Sequence, residues 1–159
     1  MEKILIRQAT KEDVEAIHEL HVKSVRELCQ GFYSDELIDG WIGARTPANF
    51  FPAIDRDILF VAIRDAEMVG FGGAIPGEIW AIYVSPGHVK SGIGSILLSH
   101  AMEIALAGKS SVILESTLNA SKFYEKKGFV ELERTTATHG NVYLPVIKMK
   151  YKPPIKKKS

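Results

Sequence analysis

Residues 82–98 have the sequence IYVSPGHVKSGIGSILL, the most informative segment of the chain. An apolar strand ends at the Pro-Gly pair 86–87, and a loop containing Gly92 and Gly94 opens directly into a long helix. Such a loop can direct several backbone amides at one point, where the helix dipole adds partial positive charge. Glycine also lets a ligand approach the backbone closely and permits positive φ. The stretch is therefore suited to a phosphate or pyrophosphate group, and a tight turn without any ligand is the structural alternative.

Two common phosphate motifs do not fit these residues. Gly87 and Gly92 have Walker A spacing, but Ile93 stands where that motif requires a lysine. Gly92 and Gly94 begin a dinucleotide fingerprint, but Leu97 occupies the third glycine position. A nucleoside triphosphatase and a Rossmann-type site are both disfavoured.

The segments on either side of this stretch predict a mixed α/β domain. Two early helices are predicted from their N-caps. The first begins at Thr10, with Asp13 three residues later in a variant of the capping box, and the second begins at Ser34. Further helices are predicted over 92–107 and over 119–127, the latter capped by Asn119. Apolar runs predict strands over 3–8, 58–64, 68–75, 78–84, 112–115, 130–134 and 142–149. We expect a hairpin turn at Gly140-Asn141, and a bulge at Pro145 because proline lacks an amide.

Composition and charge limit the classes of protein to which the chain can belong. The chain has 159 residues, 46% hydrophobic and 25% charged, which is typical of one globular domain. We expect that domain over 1–151, followed by a flexible basic tail over 152–159. Of the 20 basic residues four lie in the tail, which leaves 16 against 19 acidic residues and disfavours nucleic acid as the main partner.

The longest apolar runs have six residues, far short of the roughly 20 that span a bilayer, so no membrane association is expected. Cys29 is the single cysteine, and no signal-like or metal-binding pattern is present, which predicts a reduced, cytoplasmic protein.

Two blocks in order, VSPGHVKSGIGSILL and LNASKFYEKKGF, resemble the paired signature of the GNAT superfamily of acetyl-CoA-dependent N-acetyltransferases. The resemblance covers nearly all of residues 1–150. It implies a central mixed, mostly antiparallel sheet of about seven strands flanked by four helices. It implies acetyl-CoA as co-substrate, with no metal, held by the following residues: Ile82, Tyr83, Val84, Val89, Lys90, Ser91, Gly92, Ile93, Gly94, Ser95, Asn119, Phe123 and Tyr124.

The resemblance also implies catalytic roles. Tyr124 lies where the family places the acid that protonates the leaving thiolate, although a merely packed aromatic is the alternative. An amide near Val84 is the implied oxyanion donor. Glu78 is the better candidate for a base acting through water, and Glu115 is the weaker one. Val89 stands where the family commonly has Arg or Gln, which predicts weaker coenzyme binding and leaves a non-catalytic CoA-binding module as the alternative function.

The acceptor is predicted only as a small-molecule or peptide amine. Homodimers are common among the proteins that the chain resembles, and no residue pattern establishes one here. His21 lies on the apolar stripe of the first helix, where we expect a hydrogen-bonded core histidine, with lining of the acceptor pocket as the alternative. His139 is expected in solvent, and a loop reaching the acceptor is the alternative there. Trp41, Phe50 and Phe51 either wall the acceptor site or pack in the core.

Overall fold

A computed structural model describes residues 3–89 and 91–153. Seven strands in these two ranges form one sheet: β1 (Leu5–Gln8), β2 (Leu59–Arg64), β3 (Glu67–Ile75), β4 (Glu78–Val84), β5 (Ile113–Ser116), β6 (Phe129–His139) and β7 (Val142–Tyr151). Their spatial order is β1-β2-β3-β4-β5-β7-β6. All neighbours pair antiparallel except β4 and β5, which are parallel. The predicted mixed, mostly antiparallel sheet of about seven strands is confirmed.

Within the described residues, five helices accompany the sheet, one more than predicted: α1 (Val14–Leu28), α2 (Asp35–Ile42), α3 (Phe51–Asp55), α4 (Ile93–Ala105) and α5 (Ser121–Lys126). The additional helix is α3. It has five residues and follows a single 3-10 turn (Pro47–Phe50), so it is too short to show a periodic apolar stripe. The amide of Thr46 donates to Asn49 Oδ1 at 2.6 Å and begins this turn, a local signal that escapes periodicity analysis.

The predicted start of the first helix is a short 3-10 turn (Lys11–Asp13) that runs into α1. The amide of Thr10 donates to Asp13 Oδ2 at 2.7 Å, as the capping pattern predicts. Both terminal nitrogens of Arg7 donate to the same carboxylate, at 2.8 and 2.9 Å. These contacts fasten the start of α1 to β1, and the hydrogen bonds from Arg7 lower the pKa of Asp13.

The sheet lies between helices on both faces. Gly70 of β3 faces Leu97 of α4, and the next residue, Phe71, packs in a cluster with Ile17 of α1. Because successive residues of a strand point to opposite faces, α4 and α1 cover opposite sides of the sheet. A further cluster joins Trp41 of α2 to Leu144 of β7. The core therefore has two layers, and β3 and β4 run between them.

The parallel pair β4 and β5 separates soon after it forms. The described register of the pair covers two positions, Glu78 with Ile113 and Ile79 with Leu114. Beyond them β4 continues to Val84, while β5 pairs onward with β7. The backbone of β4 after Ile79 therefore faces an opening instead of a neighbouring strand, and this opening positions the site.

Two local predictions are wrong. Ala120, not Asn119, is the N-cap of α5, and no side-chain hydrogen bond caps that described helix. Pro145 pairs with Thr136 in regular register, and the irregularity of β6 lies between Glu131 and Glu133. Proline is accommodated because the described pairing of β5 with β7 begins only at Ile147, so Pro145 lies beyond it and next to β6 alone. Residues 154–159 of the predicted tail lie outside the described residues.

Candidate active site

A cavity of about 660 Å³ occupies the opening between β4 and β5. It is lined by α1, the end of β4, the start of α4 and the segment that follows β5, with these residues: Ser24, Leu28, Cys29, Phe32, Ile82, Tyr83, Val84, Val89, Gly92, Gly94, Ser95, Thr117, Asn119, Ala120, Phe123 and Tyr124. A smaller cavity of about 50 Å³ continues it between β4 and β5, and Tyr83, Thr117 and Tyr124 line both. The two predicted sequence blocks therefore meet at one site.

Backbone amides of β4 point into this opening. The amide of Ser85 donates to the carbonyl of Val69 at 2.9 Å and so faces β3. Successive amides of an extended strand point in opposite directions, and therefore those of Val84 and Ile82 point away from β3. β5 no longer pairs with β4 at these positions. The strand thus offers two amide donors to a molecule lying in the opening.

The N-terminus of α4 closes one end of the cavity. Gly92 is its N-cap, with a left-handed φ of 86° and no side-chain cap. The first amides of the helix, from Ile93 to Ser95, have no intrahelical acceptor, and the helix dipole makes their surroundings favourable for an anion. The side chain of Ile93 is buried in the core, so this residue contributes to the site through its amide alone.

The rest of the predicted loop is distributed around this helix end. Val89 lines the cavity with an apolar side chain that is 40% exposed. Ser91 is exposed, and its hydroxyl donates to the carbonyl of His88. Lys90 lies outside the described residues.

Tyr124 lines both cavities although its side chain is buried, at 7% exposure. Its ring packs edge-on against Phe123 and Phe129, at centroid distances of 5.2 and 5.7 Å. Burial raises the pKa of the phenol above its ordinary value of 10.0. Tyr124 is therefore protonated at neutral pH and can act as a hydrogen-bond or proton donor toward the cavity.

Asn119 lines the cavity although it is not the helix cap. The thiol of Cys29 lies 3.4 Å from Asn119 Oδ1 and donates to it, which links α1 to the segment before α5. Burial raises the pKa of Cys29 to about 11, so the thiol stays neutral. Sequence reasoning missed Cys29 and Ser24 because a small polar residue on an apolar helical stripe gives no signal of its own.

The two candidate bases lie at different places. Glu78 is half-buried at the start of β4 and is not among the described residues lining either cavity. It is four residues from Ile82, about 13 Å along an extended strand. Glu115 is exposed and borders the smaller cavity together with Tyr124.

Aromatic rings enclose His21 on the α1 side of β4. Its ring lies edge-on to Tyr83 at 4.8 Å, to Phe50 at 5.8 Å and to Trp41 at 5.9 Å. The expected hydrogen bond of this core histidine is not made at Nδ1, which is buried and has no partner among the described residues. Burial lowers the pKa of His21 to about 3, so the ring is neutral.

Three other residues of this region can be placed. Trp41 and Phe50 are buried, at 0% and 8% exposure, whereas Phe51 is 36% exposed. The expectation that His139 is solvated is wrong. Its ring is half-buried against Trp41 at 5.5 Å, because the end of β6 folds onto α2, and burial lowers its pKa.

The described part of the chain contains neither a metal-binding cluster nor a membrane-spanning helix. No group of three or more His, Cys, Asp or Glu residues there is arranged to hold a metal ion. No helix in residues 3–89 and 91–153 has the length and apolar character needed to cross a membrane.

Comparisons with known proteins identify the family. A model of the acetyltransferase (GNAT) domain matches residues 55–131. The spermidine N(1)-acetyltransferase of Thermoplasma acidophilum is 31% identical over 79% of this chain and 88% of its own. A solved GCN5-related N-acetyltransferase from Rhodopseudomonas palustris superposes with a TM-score of 0.89, at 25% identity over 96% of this chain and 98% of its own. The PaiA N-acetyltransferase of T. acidophilum, solved in complex with coenzyme A, has a TM-score of 0.77 and 26% identity over 95% of this chain and 99% of its own. The chain therefore belongs to the GNAT superfamily and is an acetyltransferase.

Proposed function

We propose that this protein transfers the acetyl group of acetyl-CoA directly to a primary amine of a small molecule or peptide. The observation that carries the proposal is the opening between β4 and β5, which has backbone amides along one side, a helix N-terminus at one end and a neutral tyrosine within it. The similarity to a GNAT enzyme solved with coenzyme A supports acetyl-CoA as the co-substrate.

The residues present fit acetyl-CoA. The uncapped first turn of α4, beginning at Gly92, offers amides and a positive dipole to a pyrophosphate. The two amides of Ile82 and Val84 can donate, one each, to an amide group of an extended pantetheine and to the thioester carbonyl. A cavity of about 660 Å³ is within the usual range for ligand sites. Val89 adds no charge to this cradle, so the proposed affinity rests on backbone donors.

When bound, acetyl-CoA supplies a thioester whose acetyl group is transferred to the acceptor amine. An amide of β4 near Val84 stabilises the negative charge that develops on the carbonyl oxygen, because it is preorganised and cannot turn toward β3. The phenol of Tyr124 holds a proton at Oη and delivers it to the departing sulfur. Since burial keeps that phenol protonated, the donor is ready at neutral pH.

The acceptor must attack as a neutral amine, so one proton has to leave it. We propose Glu78, acting through water, as the final proton acceptor. Its distance of about 13 Å along the strand from Ile82 requires such a relay. Glu115 borders the smaller cavity but is exposed. Comparing kcat of Glu78→Gln with kcat of Glu115→Gln separates the two assignments, because only replacement of the true base should lower it.

The experiment is a thiol-release assay with acetyl-CoA and a panel of amines, using Tyr124→Phe against wild type. Loss of a general acid should lower kcat by roughly 100- to 10,000-fold. Tyr143→Phe is the matched control, because Tyr143 is 76% exposed, and it should retain wild-type turnover. Equal turnover by Tyr124→Phe and wild type would reject the proton-donor role. Coenzyme binding by the wild type without turnover of any amine in the panel would favour the non-catalytic module.

A further inference from the structure

A cluster of basic and aromatic side chains lies where α1, α2, β4 and the end of β6 meet. We define the Arg45 cluster as His21, Trp41, Arg45, Tyr83 and His139. Four of its members are joined by edge-on ring contacts. The ring centroids lie 4.8 Å apart for His21 and Tyr83, 5.9 Å for His21 and Trp41, and 5.5 Å for Trp41 and His139. The backbone of Arg45 is fixed by a 3.0 Å hydrogen bond between its carbonyl and His18 Nε2.

Three polar atoms of this cluster are buried without a hydrogen-bond partner among the described residues. They are His21 Nδ1, Trp41 Nε1 and Arg45 Nε. His21 and Trp41 are 3% and 0% exposed, so solvent does not readily compensate them. Buried polar groups in native proteins are nearly always paired, and an orphaned group therefore indicates a missing partner. The tryptophan and arginine nitrogens can only donate, so the partner they lack is a hydrogen-bond acceptor.

Arg45 is the one permanently charged member of the cluster. The groups whose charges act on His21 are Arg45, His18 and His139, and the charge that acts on His139 is that of Arg45. Arg7, Arg26 and Arg134 each pair with a carboxylate. Between residues 3 and 153, with position 90 set aside, no carboxylate forms an ion pair with Arg45. The cluster thus holds one arginine cation among aromatic rings, without a counterion in the described chain.

The Arg45 cluster adjoins the proposed transfer site. Tyr83 belongs to both, since it lines the 660 Å³ cavity and contacts His21. Ser24, three residues after His21 on α1, also lines the cavity. Residues three apart on a helix are neighbours on its surface. A small molecule held at the cluster can therefore present its other end to the cavity.

We propose that the acceptor is an amine that also carries a carboxylate, as a free amino acid does, and that Arg45 binds this carboxylate. This inference rests on the proposed transferase function and names the substrate class of the same site. The guanidinium supplies the counterion, Trp41 Nε1 supplies a neutral donor, and the aromatic rings favour an apolar side chain. A polyamine is disfavoured, because its ammonium groups would meet Arg45 with no described carboxylate to offset the repulsion.

The test compares amino acids with their own carboxamides, and with spermidine, as acceptors for the full-length protein. Wild type should prefer each carboxylate over its amide by roughly 10- to 100-fold in kcat/KM, the range expected for a charge-assisted hydrogen bond. Arg45→Gln should remove the preference mainly through KM, and Arg45→Lys should restore part of it. Arg56→Gln is the control, since Arg56 lies over Trp80 away from the cluster, and it should keep the preference.

A binding readout separates this inference from the proposed function. N-acetylated amino acids should raise the unfolding midpoint of wild type and of Arg56→Gln, but not that of Arg45→Gln. Acetyl transfer that favours amides or spermidine, with Arg45→Gln unchanged, would overturn the carboxylate assignment and leave the transferase proposal standing. Absence of acetyl-CoA binding and of transfer to every amine would reject both.

Discussion

Acidification should destabilise the protein through His21 in particular. Four aromatic rings surround this imidazole, and burial lowers its pKa from an ordinary 6.5 to about 3. The unfolded chain therefore binds the proton first. Stability from the buried neutral ring is complete above pH 6.5 and is lost as the pH falls from there toward 3. At a pH of about 5 the loss from this one group is about 2 kcal/mol, because each pH unit between the two pKa values contributes about 1.4 kcal/mol.

Urea denaturation at about pH 7.5 and about pH 5 measures this effect. Wild type should lose about 2 kcal/mol more on acidification than His21→Phe, which keeps an aromatic ring in the cage but cannot titrate. Other acid-sensitive groups, such as Asp13 and His139, titrate in both proteins and cancel in the comparison. His21→Leu serves as a second non-titrating variant, in case the larger phenyl ring strains the site. Equal acid sensitivity of wild type and both variants would refute the assignment of a buried neutral imidazole.

Two further predictions concern the loop and the first helix. Gly92→Ala should lower the free energy of unfolding by about 1–2 kcal/mol and weaken CoA binding, because a φ of 86° is unfavourable for alanine even though no atom blocks the new methyl group. Gly87→Ala is the control: its site has equal space and no left-handed φ, so urea denaturation and CoA titration should both match wild type. Asp13→Asn should cost about 1–2 kcal/mol in urea denaturation by weakening the two bonds from Arg7. The wild-type contribution should vanish as the pH falls below 3.8, since the folded-state pKa of Asp13 is lowered, and an unchanged acid limb in Asp13→Asn would contradict this.

The parts of the fold that the sequence predicts correctly are those with strong local signals. The strand–glycine–helix arrangement around Gly92 is visible because glycine permits the positive φ that the chain adopts at this helix start. The hairpin turn at Gly140-Asn141 and the cap at Ser34 follow from residue chemistry alone, and both are present. The parallel pairing of β4 and β5, by contrast, joins segments that are distant in sequence, and their early separation has no local signature.

The candidate site is less predictable because its members interact across the fold. Asparagine is a residue type that commonly caps helices, but the side chain of Asn119 accepts a hydrogen bond from the thiol of Cys29. This contact spans 90 positions of the sequence and competes with capping. Arg45 follows α2 in a polar segment typical of a solvated loop. Its half-buried position, from which its charge acts on His21 and His139, arises only when three elements pack together. Position and residue type thus indicate the coenzyme side of the site, whereas the acceptor side depends on tertiary contacts.

Thermal unfolding with and without acetyl-CoA tests directly whether the opening between β4 and β5 binds this ligand. At a ligand concentration of about 100 times Kd, binding to the native state adds about 2.7 kcal/mol. For a domain of this size we expect the midpoint to rise by roughly 5–10 °C. ATP, at the same concentration, should leave the midpoint unchanged. An unchanged midpoint with millimolar acetyl-CoA, or an equal rise with ATP, would show that the opening is not an acetyl-CoA site.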